Sequence, residues 1–193
     1  ELTALTDAQK MHLLSQLDTL EDLIDIMLID TGAGISDNVT YFATAAQDII
    51  VVTSPEPTAI TDAYALMKIL STRHGEYRFK LLSNMVKSPQ EGKDLYRTLT
   101  AVADRYLNIS LDYLGYILLD DHVPWAVREQ RAVVDLFPKA RASLCFMALA
   151  ETISASASPV TLKGNLQFFW KSLADPMKDT MSDSTARVRQ DNP

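Results

Sequence analysis

Ile26-Met27-Leu28-Ile29-Asp30-Thr31-Gly32-Ala33-Gly34-Ile35 is the stretch on which the fold reading turns. An apolar run ends in a carboxylate, two glycines follow within four residues, and a helical pattern opens at Ser36. The run predicts a buried parallel strand over 25–30 that delivers Asp30 to the carboxyl edge of an open α/β sheet, where such sheets bind ligands. There a carboxylate can hold Mg²⁺ through water, and glycines let backbone approach a phosphate. The same residues also fit a Gly-rich turn with a helix-capping aspartate. Asp-Thr-Gly also ends strands in aspartic proteases, but that fold needs a second such motif and a β-rich chain.

Working outward, three more apolar runs predict strands over 48–53, 78–83 and 111–118. Ile49-Ile-Val-Val-Thr53 is β-branched without alternation, which predicts burial on both faces. Helical patterns over 36–46, 58–73 and 91–106 separate the strands, so the fold class is α/β, a parallel sheet flanked by helices with right-handed crossovers. Further helices are predicted over 123–130 and 138–153. The small-residue segment 154–160 reads as a linker, 161–173 as an amphipathic helix, and 174–193 as a polar, disordered tail.

The chain has 193 residues and a net charge of −7, which argues against nonspecific nucleic-acid binding. Residues 1–62 hold eleven acids and one base, Lys10, so positive charge for a nucleotide must come from elsewhere. No apolar run approaches the roughly 20 residues of a membrane span. The lone cysteine, Cys145, sits in an apolar stretch and reads as an inert core thiol. The cytosol is the expected compartment.

Five blocks occur in order: Asp30-Thr-Gly-Ala-Gly-Ile-Ser-Asp-Asn-Val39, Thr53-Ser-Pro-Glu-Pro-Thr-Ala-Ile-Thr-Asp-Ala-Tyr64, Ser83-Asn-Met-Val86, Leu114-Gly-Tyr-Ile117 and Asp120-Asp-His-Val-Pro-Trp-Ala-Val-Arg-Glu-Gln-Arg131. This series resembles the MinD/ParA-type ATPases, and among them the flagellar-number regulators of the FlhG/FleN type, over nearly all the chain up to Leu173. None of the six glycines begins a G-x-x-x-x-G-K-[ST] P-loop. The family carries that loop upstream of the strand ending at Asp30, so the chain reads as the C-terminal part of a P-loop NTPase of this deviant type, incomplete at its N-terminus. Residues 1–153 then belong to the nucleotide-binding domain. The chain by itself is expected to be inactive, and its intact parent to hydrolyse ATP.

The resemblance implies that Asp30 holds Mg²⁺ through water and that Gly32, Ala33 and Gly34 approach the γ-phosphate of ATP. It further implies that Asn84, at the end of the third strand, contacts adenine, and that Leu118 and Asp120 form the other wall of the base pocket. On the residues alone, Asn84 is equally a turn asparagine bonding its own backbone. Glu56 and Thr58 would border the nucleotide and the dimer face, although Thr58 also reads simply as a helix N-cap. Asp120, Asp121 and His122 suit the start of a helix better than catalysis. His12 and His74 read as ordinary surface or half-buried histidines.

In 161–173, Leu162, Leu166, Phe169, Trp170 and Leu173 share one helical stripe flanked by Lys163 and Lys171. That pattern suits either an interfacial membrane helix or one docked on its own domain. The family's C-terminal targeting helix implies the former, with peripheral association at the inner face of the cell membrane. Implied partners are a second copy in an ATP-dependent homodimer, an FlhF-type GTPase, and a flagellar transcription regulator or switch-complex proteins. Two other readings remain: a nucleotide-free interaction module, and a ParA-type ATPase that partitions DNA or cargo.

Overall fold

The computed structural model describes residues 24–156. They fall in two compact units, one contributing 24–31 and 37–47, the other 32–36 and 48–156. In the first, helix α1 spans Asp37–Ala45. Val39 and Thr40 are buried, and the Thr44 hydroxyl donates to the carbonyls of Thr40 and Tyr41.

The expected strand over 25–30 does not form: residues 24–30 are irregular, and Leu28 is 76% exposed. A strand exists only where a neighbour accepts its ladder bonds, and among the described residues nothing pairs with this run. Ile26 and Leu28 are therefore exposed, and Met27 and Ile29 only half-buried, although the run is built for burial. The 193 residues carry no G-x-x-x-x-G-K-[ST] motif, the P-loop that the resemblance implies for a neighbouring strand.

The second unit carries the sheet. Strands β1 (Ile50–Thr53), β2 (Arg78–Val86) and β3 (Ser110–Leu118) are parallel in the order β1-β2-β3. Helix α2 (Pro57–His74) connects the first pair, and α3 (Pro89–Tyr106) the second. After β3 come α4 (His122–Arg128), α5 (Val133–Leu136) and α6 (Arg141–Ser156); the single-turn α5 was not anticipated. In β1, Val51 and Thr53 are buried but Val52 is 55% exposed, so burial on both faces is corrected to burial on one.

Helices α2 and α3 pack on the sheet. Met67 and Leu70 of α2, Leu99 and Ala103 of α3, and Phe79 and Leu81 of β2 supply the most deeply buried apolar positions. Helix α6 packs on β3, where Leu82, Ile117 and Ala142 form a second cluster joined by Ile50, Val123, Cys145 and Leu149. Cys145 is accordingly a half-buried packing thiol.

Two local features explain how the chain turns at its edges. In β3, Leu81 pairs with Tyr113 but Leu82 with Gly115, so Leu114 is an extra residue; Gly115 takes φ 150°, which glycine tolerates best. At the end of α4, Arg131 N–H donates to the Ala126 carbonyl and Gln130 N–H to that of Val127, a Schellman closure. Gln130 holds the left-handed position at φ 52° that glycine usually fills.

Gly92, in the first turns of α3, is needed for a different reason. A Cβ there would lie 2.7 Å from the Tyr113 hydroxyl oxygen and 3.1 Å from Tyr116 Cβ, while the Gly92 carbonyl accepts a 3.0 Å bond from the buried Ser83 hydroxyl. Gly92→Ala should therefore push the helix off β2 and β3. The expected loss is about 1–3 kcal/mol, outweighing the roughly 1 kcal/mol helix-propensity gain. A urea-unfolding midpoint equal to or above that of the wild type would contradict this packing.

Candidate functional site

Parallel strands carry their C-terminal ends to one edge, and here that edge is formed by Thr53, Val86 and Leu118. Strand β2 runs three residues beyond the expected end, so Asn84 lies within its irregular last turn rather than at its terminus. The ladder breaks between Ser83 and Val86, and Met85 adopts φ 57°. Asn84 Oδ1 accepts the Met85 N–H at 2.9 Å, which fixes the amide orientation because a backbone N–H requires an acceptor. Half-buried Asn84 thus keeps its NH₂ group without a partner among the described residues. It bonds its own backbone, as a turn asparagine does, and still has a donor to offer.

The segment after β3 lies beside it. Val86 pairs with Leu118, and Leu119 N–H donates to the Val86 carbonyl at 2.8 Å. Asp120 then turns inward and is buried. Its Oδ1 accepts from His122 N–H at 3.0 Å and from His122 Nδ1 at 2.7 Å, while Oδ2 accepts the Ala142 N–H at 3.1 Å. The His122 backbone N–H, then the Ala142 N–H, then the His122 ring hold its pKa down at about 2. The ring packs at a 52° tilt against Phe137, centroids 4.6 Å apart, and Phe137 in turn meets Trp125. Helix-start electrostatics is thus what the acids do here, with the refinement that Asp120, not Asp121, supplies the bonds.

Glu56 and Thr58 follow β1 at the same edge, and both are exposed. The expected Thr58 cap is corrected: Glu56 occupies the cap position without a side-chain bond, and Pro57 begins the helix, as its fixed φ favours. Helix α3 is capped by Ser88, whose Oγ accepts the Glu91 N–H at 3.2 Å, and the Glu91 carboxylate accepts from Lys87 N–H.

Asn84, Leu118 and Asp120 are therefore brought together at one edge. Asp30 belongs to the first unit and is exposed; Gly32, Ala33 and Gly34 are exposed, with Gly34 at φ 100°. Leu162, Leu166, Phe169, Trp170 and Leu173 lie outside the described residues. Among the described residues no three His, Cys, Asp or Glu side chains converge as a metal site, and no helix is long and apolar enough to cross a membrane. Sequence reading missed Arg141, whose Nη2 donates to the Leu119 carbonyl at 3.0 Å. A cation opening a helix after Pro138 carried no signal of that distant partner. Arg141 and Leu118 also line a groove of about 420 Å³ between β3 and α6, with Leu144, Cys145 and Leu149 on its apolar wall.

Comparison with known proteins adds the ancestry of this edge. The antiactivator FleN of Pseudomonas aeruginosa is 44% identical over 165 residues, covering 86% of this chain and 59% of FleN. The flagellum site-determining protein YlxH of Helicobacter pylori is 38% identical over 60% of this chain and 39% of its own length. The septum site-determining protein MinD of Bacillus subtilis is 25% identical over 76% of the chain and 53% of its own length. The chain is similar to the flagellar regulators and MinD proteins of the MinD/ParA-type family. The chain thus spans well under two thirds of each of these MinD/ParA-type relatives. No family model matches it. The three-stranded parallel sheet flanked by helices agrees with the α/β P-loop NTPase fold of this family.

Proposed function

We propose that this chain is the C-terminal part of a FleN-like, ATP-binding regulator of flagellar number or placement. The observation that carries the reading is the 44% identity to FleN across a segment that includes the Asn84 and Leu118–Asp120 edge. An unpartnered amide donor beside a fixed loop suits recognition of a purine's ring nitrogens. Mg²⁺ fits as well: it keeps most of its waters and takes one or two carboxylates plus substrate phosphates. Asp30, a lone exposed carboxylate, suits such outer contact, and no dedicated protein cage is required. When bound, the nucleotide and its ion supply the phosphate charge that Gly32, Ala33 and Gly34 would approach through their backbone.

ATP-driven dimerisation, hydrolysis and membrane recruitment are parts of the same proposal. Glu56 and Thr58, exposed beside β1, are the candidates for the dimer face. An FlhF-type GTPase, a flagellar transcription regulator and switch-complex proteins are the candidate partners, and the inner face of the cell membrane is the candidate location. Deleting the gene should change flagella per cell, and the wild-type gene but not an Asn84→Ala allele should restore the count. Unchanged numbers after deletion would remove the flagellar reading.

The membrane step has its own test. Phe169→Glu/Trp170→Glu in the intact gene product should abolish ATP-dependent co-sedimentation with anionic vesicles, and added salt should weaken wild-type binding by screening Lys163 and Lys171. Equal sedimentation of both proteins would return the stripe to the protein's own core. A nucleotide-free interaction module is favoured by one observation, the lack of a P-loop in these residues, and an intact product unable to bind ATP would support it.

A further inference from the structure

We propose that Asp120 and Arg141 are positioning residues that lock the Leu118–Asp120 loop to the start of α6 and so set the base side of the nucleotide site. The inference rests on the nucleotide reading above and concerns how that site is built.

The loop leaves β3, the last strand of the described sheet, so it has β2 on one side only. Leu119 is exposed and cannot be held by apolar burial. Three polar tethers hold it instead: Leu119 N–H to the Val86 carbonyl, Arg141 Nη2 to the Leu119 carbonyl, and Ala142 N–H to Asp120 Oδ2. The last two each cross 22 residues of chain and end on neighbouring residues of α6.

Asp120 spends both oxygens in this way, with two bonds to His122 on the other. A carboxylate so engaged is a poor direct base contact, which changes the role that resemblance alone assigns to it. Ala142 N–H is an unsatisfied donor of a helix's first turn, and burial makes its pairing with a charged acceptor strong. The Val86–Leu118 pair then places the tethered loop two residues from Asn84 across the sheet. If both tethers go, the loop keeps its bond to β2 and the Val123 N–H bond to the Asp120 carbonyl but nothing that ties it to α6, and no longer faces Asn84 in one geometry.

The test separates base from phosphate. In the intact gene product, affinities for Mg·ATP and for magnesium tripolyphosphate are measured in wild type, Asp120→Asn, Arg141→Leu, Arg141→Lys and Gly92→Ala. Asp120→Asn and Arg141→Leu should each weaken ATP about tenfold, the equivalent of one hydrogen bond, and leave tripolyphosphate within about twofold. Arg141→Lys should recover most of the ATP affinity, since its ammonium can still reach the Leu119 carbonyl. Gly92→Ala, a packing variant away from the loop, should lower stability without changing the ratio. Arg141 is exposed, so its variants will fold even where those of Asp120 do not. An unchanged ratio in Arg141→Leu, or parallel loss of both ligands, overturns the proposal alone. Wild-type protein that binds tripolyphosphate as tightly as ATP, or neither, overturns the nucleotide reading and this inference with it.

Discussion

Asp120→Ala should destabilise the protein by about 2–4 kcal/mol, the largest single-residue effect expected here. The substitution removes a charged acceptor from two backbone N–H groups, and the Ala142 group is buried, so it is left desolvated and unpaired. The two N–H groups begin α4 and α6, so both helix starts loosen together. The same carboxylate makes stability depend on acid. Its folded pKa, about 2, lies below the ordinary value of 3.8, so the folded state favours the charged form. The contribution is therefore complete above about pH 4 and drains away as pH falls through that value toward 2. Urea midpoints measured between neutral pH and pH 2 should fall more steeply for wild type than for Asp120→Asn in that window. Parallel curves would mean that the carboxylate is not held by these bonds.

Adding upstream the P-loop-bearing segment that the MinD/ParA resemblance implies should raise stability by on the order of 5 kcal/mol. Ile26, Leu28 and Val52 are all large, apolar and substantially exposed, and burying one such side chain is worth roughly 1.5–3 kcal/mol. The extra strand would also give the 24–30 run a partner for its ladder bonds. Thermal unfolding of the 193-residue chain beside the completed protein checks this, with the shorter chain melting lower and aggregating sooner. Coincident, sharp transitions would show that the exposed positions have no missing neighbour.

Much of the fold was legible because it is local. Ile49-Ile-Val-Val-Thr53 and Leu111-Asp-Tyr-Leu-Gly-Tyr-Ile-Leu118 announce strands by composition, and α2 and α3 end within two residues of where their patterns do. The segment 25–30 has an equally strong strand composition and forms none, since ladder bonds depend on a neighbour that composition does not reveal. At the candidate site, Asn84 and the loop at Leu118 were proposed from their order along the chain, and the fold brings them to one edge. The bond between Asp120 and α6 left no such trace, because the partner there is the backbone N–H of Ala142, a group every residue but proline carries. The Gly115 bulge and the left-handed Gln130 likewise leave no mark in the pattern of apolar and polar residues.

What most needs proof is that this sheet edge belongs to an adenine-nucleotide site. Calorimetric titration of the intact gene product with Mg·ATP, for wild type and Asn84→Ala, tests it most directly. Saturable binding by the wild type and a loss of about tenfold or more in the variant are expected, as one donor to the base disappears. Absence of ATP binding by the wild type, or equal affinity in Asn84→Ala, would contradict it.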